Sequence, residues 1–510
     1  MVRTPNQRAF APHRTLSSPT VQLAILIALG LAARLIVLFS IARLPWFYVP
    51  NADSALYDDM ARAFARGDWL IGTEPLRMSP VYPFFLGVVY RVFGVNPWGV
   101  RVVQTILGLG LVALTWDTAR RLLGPRAALI AGGIVALFGP ALFYEFQLLG
   151  DAPAAATAGL ALWMMVRAMV RGEVRPSYWS AVGLVTGVVG LWRPNGLLLV
   201  APLAAAAAWT GSSVGRSRRL VAATLGFLVG LSPVPVRNLL ATGHATVVAV
   251  HGGVNFYVGN GPDATGAFRV PGELSGAIGP REQFDAFHTA AERAEGHPLD
   301  AEAADRYWMG RTLTFIIADP ARWASLMVWK LRLFWNGRSL SDVEHYEFMR
   351  RLDPTLALPF VQWWALMPVA MVGTVLALRG RDAGAVVALF NLAWCCSVVI
   401  FFVVDRYRLP SLSGLAIAAV LGAWQARTIW TARSRSARAA LLSLGATAVV
   451  IAWPVGIIDN SAEMWLRLGS GYERMGRLDE ARAAYHRAAD IAPTDVRARR
   501  GLERLGRGTR

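Results

Sequence analysis

The chain has 510 residues, 55% of them hydrophobic, and the apolar residues fall in long blocks parted by short arginine-bearing segments. That pattern belongs to a helical protein that crosses a membrane many times, and it excludes a water-soluble globule. The formal charge of +18 would suit nucleic acid, but loops at residues 1–20, 116–127, 167–176, 210–220, 379–382 and 425–438 carry eighteen Arg against only Asp117, Glu173 and Asp382. These loops read as cytoplasmic by the positive-inside rule, so the basic excess is topology and no nucleic-acid partner is expected.

In chain order, residues 1–20 read as a cytoplasmic N-terminus. Val21 to Ala42 is a retained first helix, longer than the roughly 7–15 apolar residues of a signal peptide. Residues 43–97 form a first outward loop, in which Asn51 to Pro83 sets five acids directly after an apolar span. A carboxylate kept at a bilayer surface is a functional candidate. Ser54 to Arg66 predicts an amphipathic helix on the membrane surface, with Leu56, Met60, Ala63 and Phe64 on one face and Asp58, Asp59 and Arg62 elsewhere. The plainest role for Asp53 or Ser54 there is to cap that helix. Trp46, Phe47 and Tyr48 suit a lipid groove or an interfacial aromatic belt.

Further spans near 98–115, 127–143, 152–168, 178–192, 195–209, 220–236, 356–378, 383–404, 409–424 and 438–458 bring the count to about eleven. Because only helices satisfy their own backbone inside hydrocarbon, the fold class is an all-α polytopic bundle. Glu145 and Asp151 lie at an outward junction, where Asp151, with Pro153 in the first turn, would equally cap a helix.

The outward loop 237–355 holds twelve basic residues and fourteen acids, and is too long for a simple connection. Its Gly/Pro-rich first part, 251–273, reads as irregular, Arg281 to Ile317 as helices, and Pro320 to Trp335 as a helix in the interface plane. The run Gly252 to Gly261 has no strand–turn–helix context for a nucleotide. It reads instead as a loop over a site, with Asn255, Tyr257 and Asn260 offered to sugar hydroxyls.

Cys395 and Cys396 are adjacent in an apolar block and the seven histidines are scattered, so neither a disulfide framework nor a dedicated metal site is expected. A divalent cation held by carboxylates and phosphate stays open. The tail, 459–510, carries W-L-R-L-G-S-G-Y from Trp465, then Ala481, Tyr485, Ala488 and Pro493, the spacing of a tetratricopeptide repeat. One repeat cannot bury its own apolar face, so it should dock on the membrane body or on a protein partner. With eleven spans and a cytoplasmic N-terminus, the tail lies outside.

The first loop, with Asp53 followed by Tyr57 and Asp59, then Gly67-Asp68-Trp69 and Met78-Ser79-Pro80-Val81-Tyr82-Pro83, resembles that of the GT-C glycosyltransferases. It is most similar to the family 39-like protein O-mannosyltransferases and bacterial lipid A aminoarabinose transferases. Leu191-Trp-Arg-Pro-Asn-Gly196, Pro235-Val-Arg-Asn238, Gly252 to Asn260 and Asp405-Arg-Tyr-Arg-Leu-Pro410 agree with it. The resemblance covers roughly residues 20–425, which places a glycosyltransferase domain over 21–458. It departs at Ser54, where those enzymes tend to carry a second acid, whose role is either absent or passes to Asp58 or Asp59.

The resemblance implies transfer of a sugar from a polyprenyl-phosphate carrier to a protein, lipid or polysaccharide acceptor, with inversion, on the outer face of a bacterial cytoplasmic membrane. Asp53 would be the general base, while Asp58, Asp59, Asp151 and Glu145 are candidates to hold or orient the acceptor. Arg193, Arg237, Arg406 and Arg408 fall at outward helix ends, Arg406 and Arg408 on the wrong side for positive-inside anchoring, and a guanidinium fork fits phosphate. Tyr57 and Tyr407 would border the substrate. Competing readings are a lipid-carrier-dependent polysaccharide polymerase or ligase, a lipid-sugar transporter, and a non-enzymatic scaffold. A transporter should show inverted repeats, of which the sequence has no clear sign.

Overall fold

The structure is a computed structural model. It describes residues 18–507 apart from 75, 77, 79–80, 244–250, 275–279, 343–344, 433 and 457–460; Ser79 and Pro80 of the first-loop motif therefore lie outside the described residues. Twenty-four helices follow one another. The first half comprises α1 (Pro19–Ile41), α2 (Ala52–Ala65), α3 (Val81–Phe93), α4 (Pro97–Leu123), α5 (Pro125–Ala136), α6 (Gly139–Tyr144), α7 (Asp151–Arg171), α8 (Pro176–Trp192), α9 (Val200–Trp209), α10 (Arg216–Leu231), α11 (Pro233–Thr242) and α12 (Gly252–Asn260). Then come α13 (Pro280–Glu295), α14 (Ala301–Ala318), α15 (Pro320–Phe334), α16 (Tyr346–Leu352), α17 (Trp363–Ala377), α18 (Ala383–Val399), α19 (Asp405–Arg408), α20 (Leu412–Thr431), α21 (Arg435–Ala452), α22 (Ser461–Arg474), α23 (Leu478–Ile491) and α24 (Val496–Arg507). Among the described residues the only β pairing is one bridge, Phe138 with Val361.

The all-α class stands, and the chain is a multi-pass membrane protein. Among the described residues six helical segments are long and apolar enough to cross a membrane, α1, α4, α7 and α21 among them, and shorter apolar helices accompany them. Each of the eleven expected spans contains helix, but 356–362 and 400–404 lie outside it, 127–143 and 220–236 are each split between two helices, and the last span runs past the end of α21 at Ala452. The apolar helix α3 was not foreseen, and it changes the packing of the first loop.

Prolines open α1, α4, α5 and α8, where a missing N–H costs nothing. Glycines let the helices touch. A Cβ on Gly183 would collide with the carbonyl of Ala223, one on Gly187 with that of Phe227, one on Gly226 with that of Ser180 and one on Gly230 with that of Leu184. Two small-xxx-small stripes thus bring α8 and α10 into backbone contact, the association mode available where lipid is as apolar as the helix faces. Gly373 of α17 and Gly422 of α20 do the same for that pair.

Three local expectations change. The face of α2 that packs inside the protein is Ser54, Tyr57, Asp58, Ala61 and Phe64, which shares only Phe64 with the expected apolar face, because α3 packs against it with Gly87 pressed on the Phe64 ring. Gly252 to Asn260 is a helix, not an irregular loop: Gly253 lies against the Asp305 carbonyl and Gly259 against that of Phe401, so these glycines serve close approach rather than bending. Neither Asp53 nor Asp151 is a cap: α2 is entered through Asn51 and α7 through Gly150, both without a side-chain capping bond.

The tail folds as the three helices α22 to α24 and docks on the body. The Trp465 ring meets Phe348 at 5.3 Å, and Met464 and Leu468 join the main core.

Candidate active site

Asp53 sits in the first turn of α2, just after a bent stretch of backbone in which Ala52 holds φ at +44°. That left-handed conformation costs an alanine about 1–3 kcal/mol, and it persists only where the surroundings impose it. Asn51 enters the helix, so the Asp53 carboxylate is released from capping and accepts a 3.0 Å bond from the Arg406 Nη2. Arg406 also grips Asp342 through its Nε, at 2.8 and 3.0 Å. The first loop, the segment after α15 and the start of the α19–α20 run therefore meet at one guanidinium.

Behind it lies a second pair. Arg193, at the end of α8, is bonded to Asp151 at the start of α7, and its guanidinium stacks 4.3 Å from the centre of the Tyr407 ring. Arg406 lies over the same ring at 5.2 Å, so one tyrosine spaces two cations.

A cavity of about 550 Å³ opens over these groups. Asp53, Tyr57, Arg193, Asn255, Arg406 and Tyr407 line it, and these are the expected residues that the fold brings together. Burial pushes the Asp53 carboxyl above its usual range, while the facing Arg406 pulls it back. The site thus holds a desolvated carboxylate beside fixed cations, an arrangement able to accept a proton and to stabilise a departing anion.

Seven expected residues lie elsewhere. Arg408 is fully buried and donates to the carbonyls of Phe334, Asn336 and Arg338 at 2.7–3.3 Å, paired with Asp405. Arg237 donates to the carbonyls of Leu70, Ile71 and Glu74 and so pins the first loop. Glu145 is locked to Arg34 at 2.9 Å inside the bundle. Asp58 accepts from Tyr90 and Arg62, at 2.5 and 2.7 Å, and Asp59 forms an exposed pair with Arg281 at 2.9 Å. Tyr257 packs on Trp308 with ring centres 4.6 Å apart. Asn260 accepts from Lys330 at 2.8 Å and from Trp323 at 3.1 Å. None of the seven lines the cavity. The polar groups of six are bonded within the protein and the Tyr257 ring packs on Trp308, as given above, so the geometry lends no support to a phosphate role for Arg237 and Arg408, an acceptor role for Asp58, Asp59 and Glu145, or a sugar-facing role for Tyr257 and Asn260.

The sequence reading missed Asn195, His251, Asp305, Asp342 and Arg467, all of which line the cavity. Asn195 lay inside a quoted motif. Asp342 and Arg467 carried no local signal, because they reach the site only through tertiary packing.

An all-α membrane bundle with carboxylates and arginines gathered in one cavity beside a docked helical hairpin defines the class. The comparisons agree. Residues 75–236 match the dolichyl-phosphate-mannose-protein mannosyltransferase family, and residues 462–495 match the tetratricopeptide repeat, in line with the resemblance read from the sequence. Glycosyl transfer is the activity that the first family's name states.

Among solved structures the chain is similar to the archaeal oligosaccharyltransferase AglB from Archaeoglobus fulgidus, in complex with an inhibitory peptide and a dolichol-phosphate. There the identity is 13%, with 89% of this chain and 59% of that one covered at a TM-score of 0.45. It is also similar to ArnT from Cupriavidus metallidurans bound to undecaprenyl phosphate, at 16% identity, 96% and 79% coverage and a TM-score of 0.42. The chain thus spans under two thirds of the archaeal enzyme. Comparison with curated proteins gives no match.

Proposed function

We propose that the chain is a membrane glycosyltransferase that moves a sugar from a polyprenyl-phosphate carrier to an acceptor hydroxyl or amine, with Asp53 as the general base. The observation that carries this reading is the single cavity in which Asp53 faces Arg406 and Arg193. The family match over residues 75–236 supports the donor class.

In the reaction the acceptor's proton passes to the Asp53 carboxylate as its oxygen or nitrogen bonds to the anomeric carbon. The bond from that carbon to the phosphate oxygen breaks on the opposite face, with inversion, and its electron pair leaves on the lipid phosphate. Arg406 and Arg193 stand where that charge develops. The Nε of Arg193 is buried and has no hydrogen-bond partner among the described residues, which leaves a donor for a ligand oxygen. A positioned base contributes about 10²–10⁴-fold. Tyr57 and Asn255 border the space for sugar and acceptor.

The arginine-rich loops support a cavity that opens on the outer face, and the setting that goes with this reading is a bacterial cytoplasmic membrane. The acceptor class, whether protein, lipid or polysaccharide, follows from mass spectrometry of envelope glycans with and without the protein. Asp53→Asn should abolish transfer from a radiolabelled undecaprenyl-phosphate sugar while the protein still purifies folded; full activity in that variant removes Asp53 as the base.

A further inference from the structure

The tetratricopeptide hairpin is built into the body rather than hung from it. Besides the Trp465–Phe348 contact, a Cβ on Gly471 would come within 2.8 Å of Pro45, and Arg477 donates to the Arg43 carbonyl at 3.3 Å. Seated there, α22 sends Arg467 into the lining of the cavity that holds Asp53 and Arg406.

Position 467 is one of the two unspecified places in the W-x2-L-G pattern, so the repeat's own packing does not call for an arginine. Yet the side chain is held with care. Its Nε donates to Glu463 at 3.1 Å, and Glu463 is gripped in turn by Arg497 of α24 at 2.8 Å. All of this lies partly buried, with the Arg467 side chain 20% exposed. The charge of Arg467 is felt at Asp53, where it works against the effect of burial.

The two other cavity arginines are committed to carboxylates, Arg193 to Asp151 and Arg406 to Asp342 and Asp53. A phosphate that gains charge as its bond to the sugar breaks is stabilised further by a third cation beside them. Glu463 faces both Arg467 and Arg497, and Arg497 also pairs with Asp495 at 2.6 Å.

We propose that Arg467 completes the phosphate-binding set of the active site, so that the C-terminal repeat supplies a residue for the lipid-phosphate donor and the site is incomplete without it. This rests on the glycosyltransferase reading above.

The test uses the full-length protein in nanodiscs, with undecaprenyl phosphate as the probe and tryptophan fluorescence as the readout. Arg467→Gln should weaken binding about tenfold, the scale of one charged hydrogen bond, and Arg467→Lys should restore part of it. Arg482→Gln, an exposed change on α23, serves as the control and should bind as the wild type does. Limited proteolysis reports whether the repeat stays docked.

In a turnover assay with the labelled donor, the acid limb of Arg467→Gln should move to higher pH, because a cation that favours ionised Asp53 has been removed. Wild-type affinity and an unmoved limb in Arg467→Gln would overturn the proposal, as would a loss that appears only with an undocked repeat. So would tight binding of inorganic phosphate without binding of the lipid. A wild-type protein that neither binds undecaprenyl phosphate nor uses the donor would instead bring down the glycosyltransferase reading itself.

Discussion

Asp53 is pulled two ways, since burial disfavours its charged form and Arg406 favours it, and burial is the larger influence. A base works only when unprotonated, so a raised pKa places the loss of activity at a higher pH than an exposed aspartate would. The acid limb of kcat/KM should lie clearly above about pH 4, the ordinary aspartate value; a limb at or below it would mean that the carboxylate is not buried during turnover.

Arg408 shows the opposite case, an arginine consumed by structure. A lysine cannot reproduce its fork to several carbonyls. Arg408→Lys should lower the melting temperature while leaving the KM for the donor unchanged, whereas Arg406→Lys should raise that KM.

Lys330 is the only lysine in the chain. Burial lowers its pKa to about 7, and its amine is bonded to Asn260. Between pH 7 and about 10.4, where a free lysine titrates, the unfolded chain holds a proton that the folded one gives up. Stability from this group therefore rises with pH across that window. Lys330→Met should melt higher than the wild type near pH 7, with the gap narrowing toward pH 10.

At the scale of helices, the body depends on small residues more than on large ones. The Gly183/Gly187 and Gly226/Gly230 stripes set α8 on α10 with no room for a side chain. Gly187→Leu should lower expression and thermal stability, because the carbonyl of Phe227 occupies the place of its Cβ. The Arg34–Glu145 pair ties α1 to the end of α6 within the bundle. Glu145→Gln leaves a buried guanidinium without its counter-charge and should cost about 3–5 kcal/mol, read as a fall in melting temperature without a selective change in donor KM.

Periodicity could find these helices but not their faces. The spacing in α2 set Leu56 and Met60 on the apolar face, while its partner α3 buries Tyr57 and Asp58, because the neighbour decides which side of the helix the protein covers. Glycine content misled in the same way at α12, where Gly253 and Gly259 make room for other backbone rather than for a turn.

For the whole molecule, the tail is where sequence and structure part most. Its repeat spacing is legible at once, and a single repeat is expected to dock on the body or on a partner without entering the site, so that a chain ending at Asn460 would keep transfer to a small acceptor. Met464 and Leu468 belong to the main core, however, and Arg467 to the cavity. The truncated chain should lose both thermal stability and transfer; full activity would return the repeat to the role of an accessory.

Composition and the spacing of apolar blocks were enough by themselves to determine an all-α polytopic membrane protein, since a bilayer admits few backbone solutions. Local motifs picked out Asp53, Arg193 and Arg406 as candidates. What tertiary structure alone decided is which charges share a space: Asp342 and Arg467 stand 289 and 414 positions along the chain from Asp53, and no local pattern records a contact made by packing. The same packing sets Arg237 and Arg408 outside the cavity, where a guanidinium already bonded to backbone carbonyls has little left to offer a ligand.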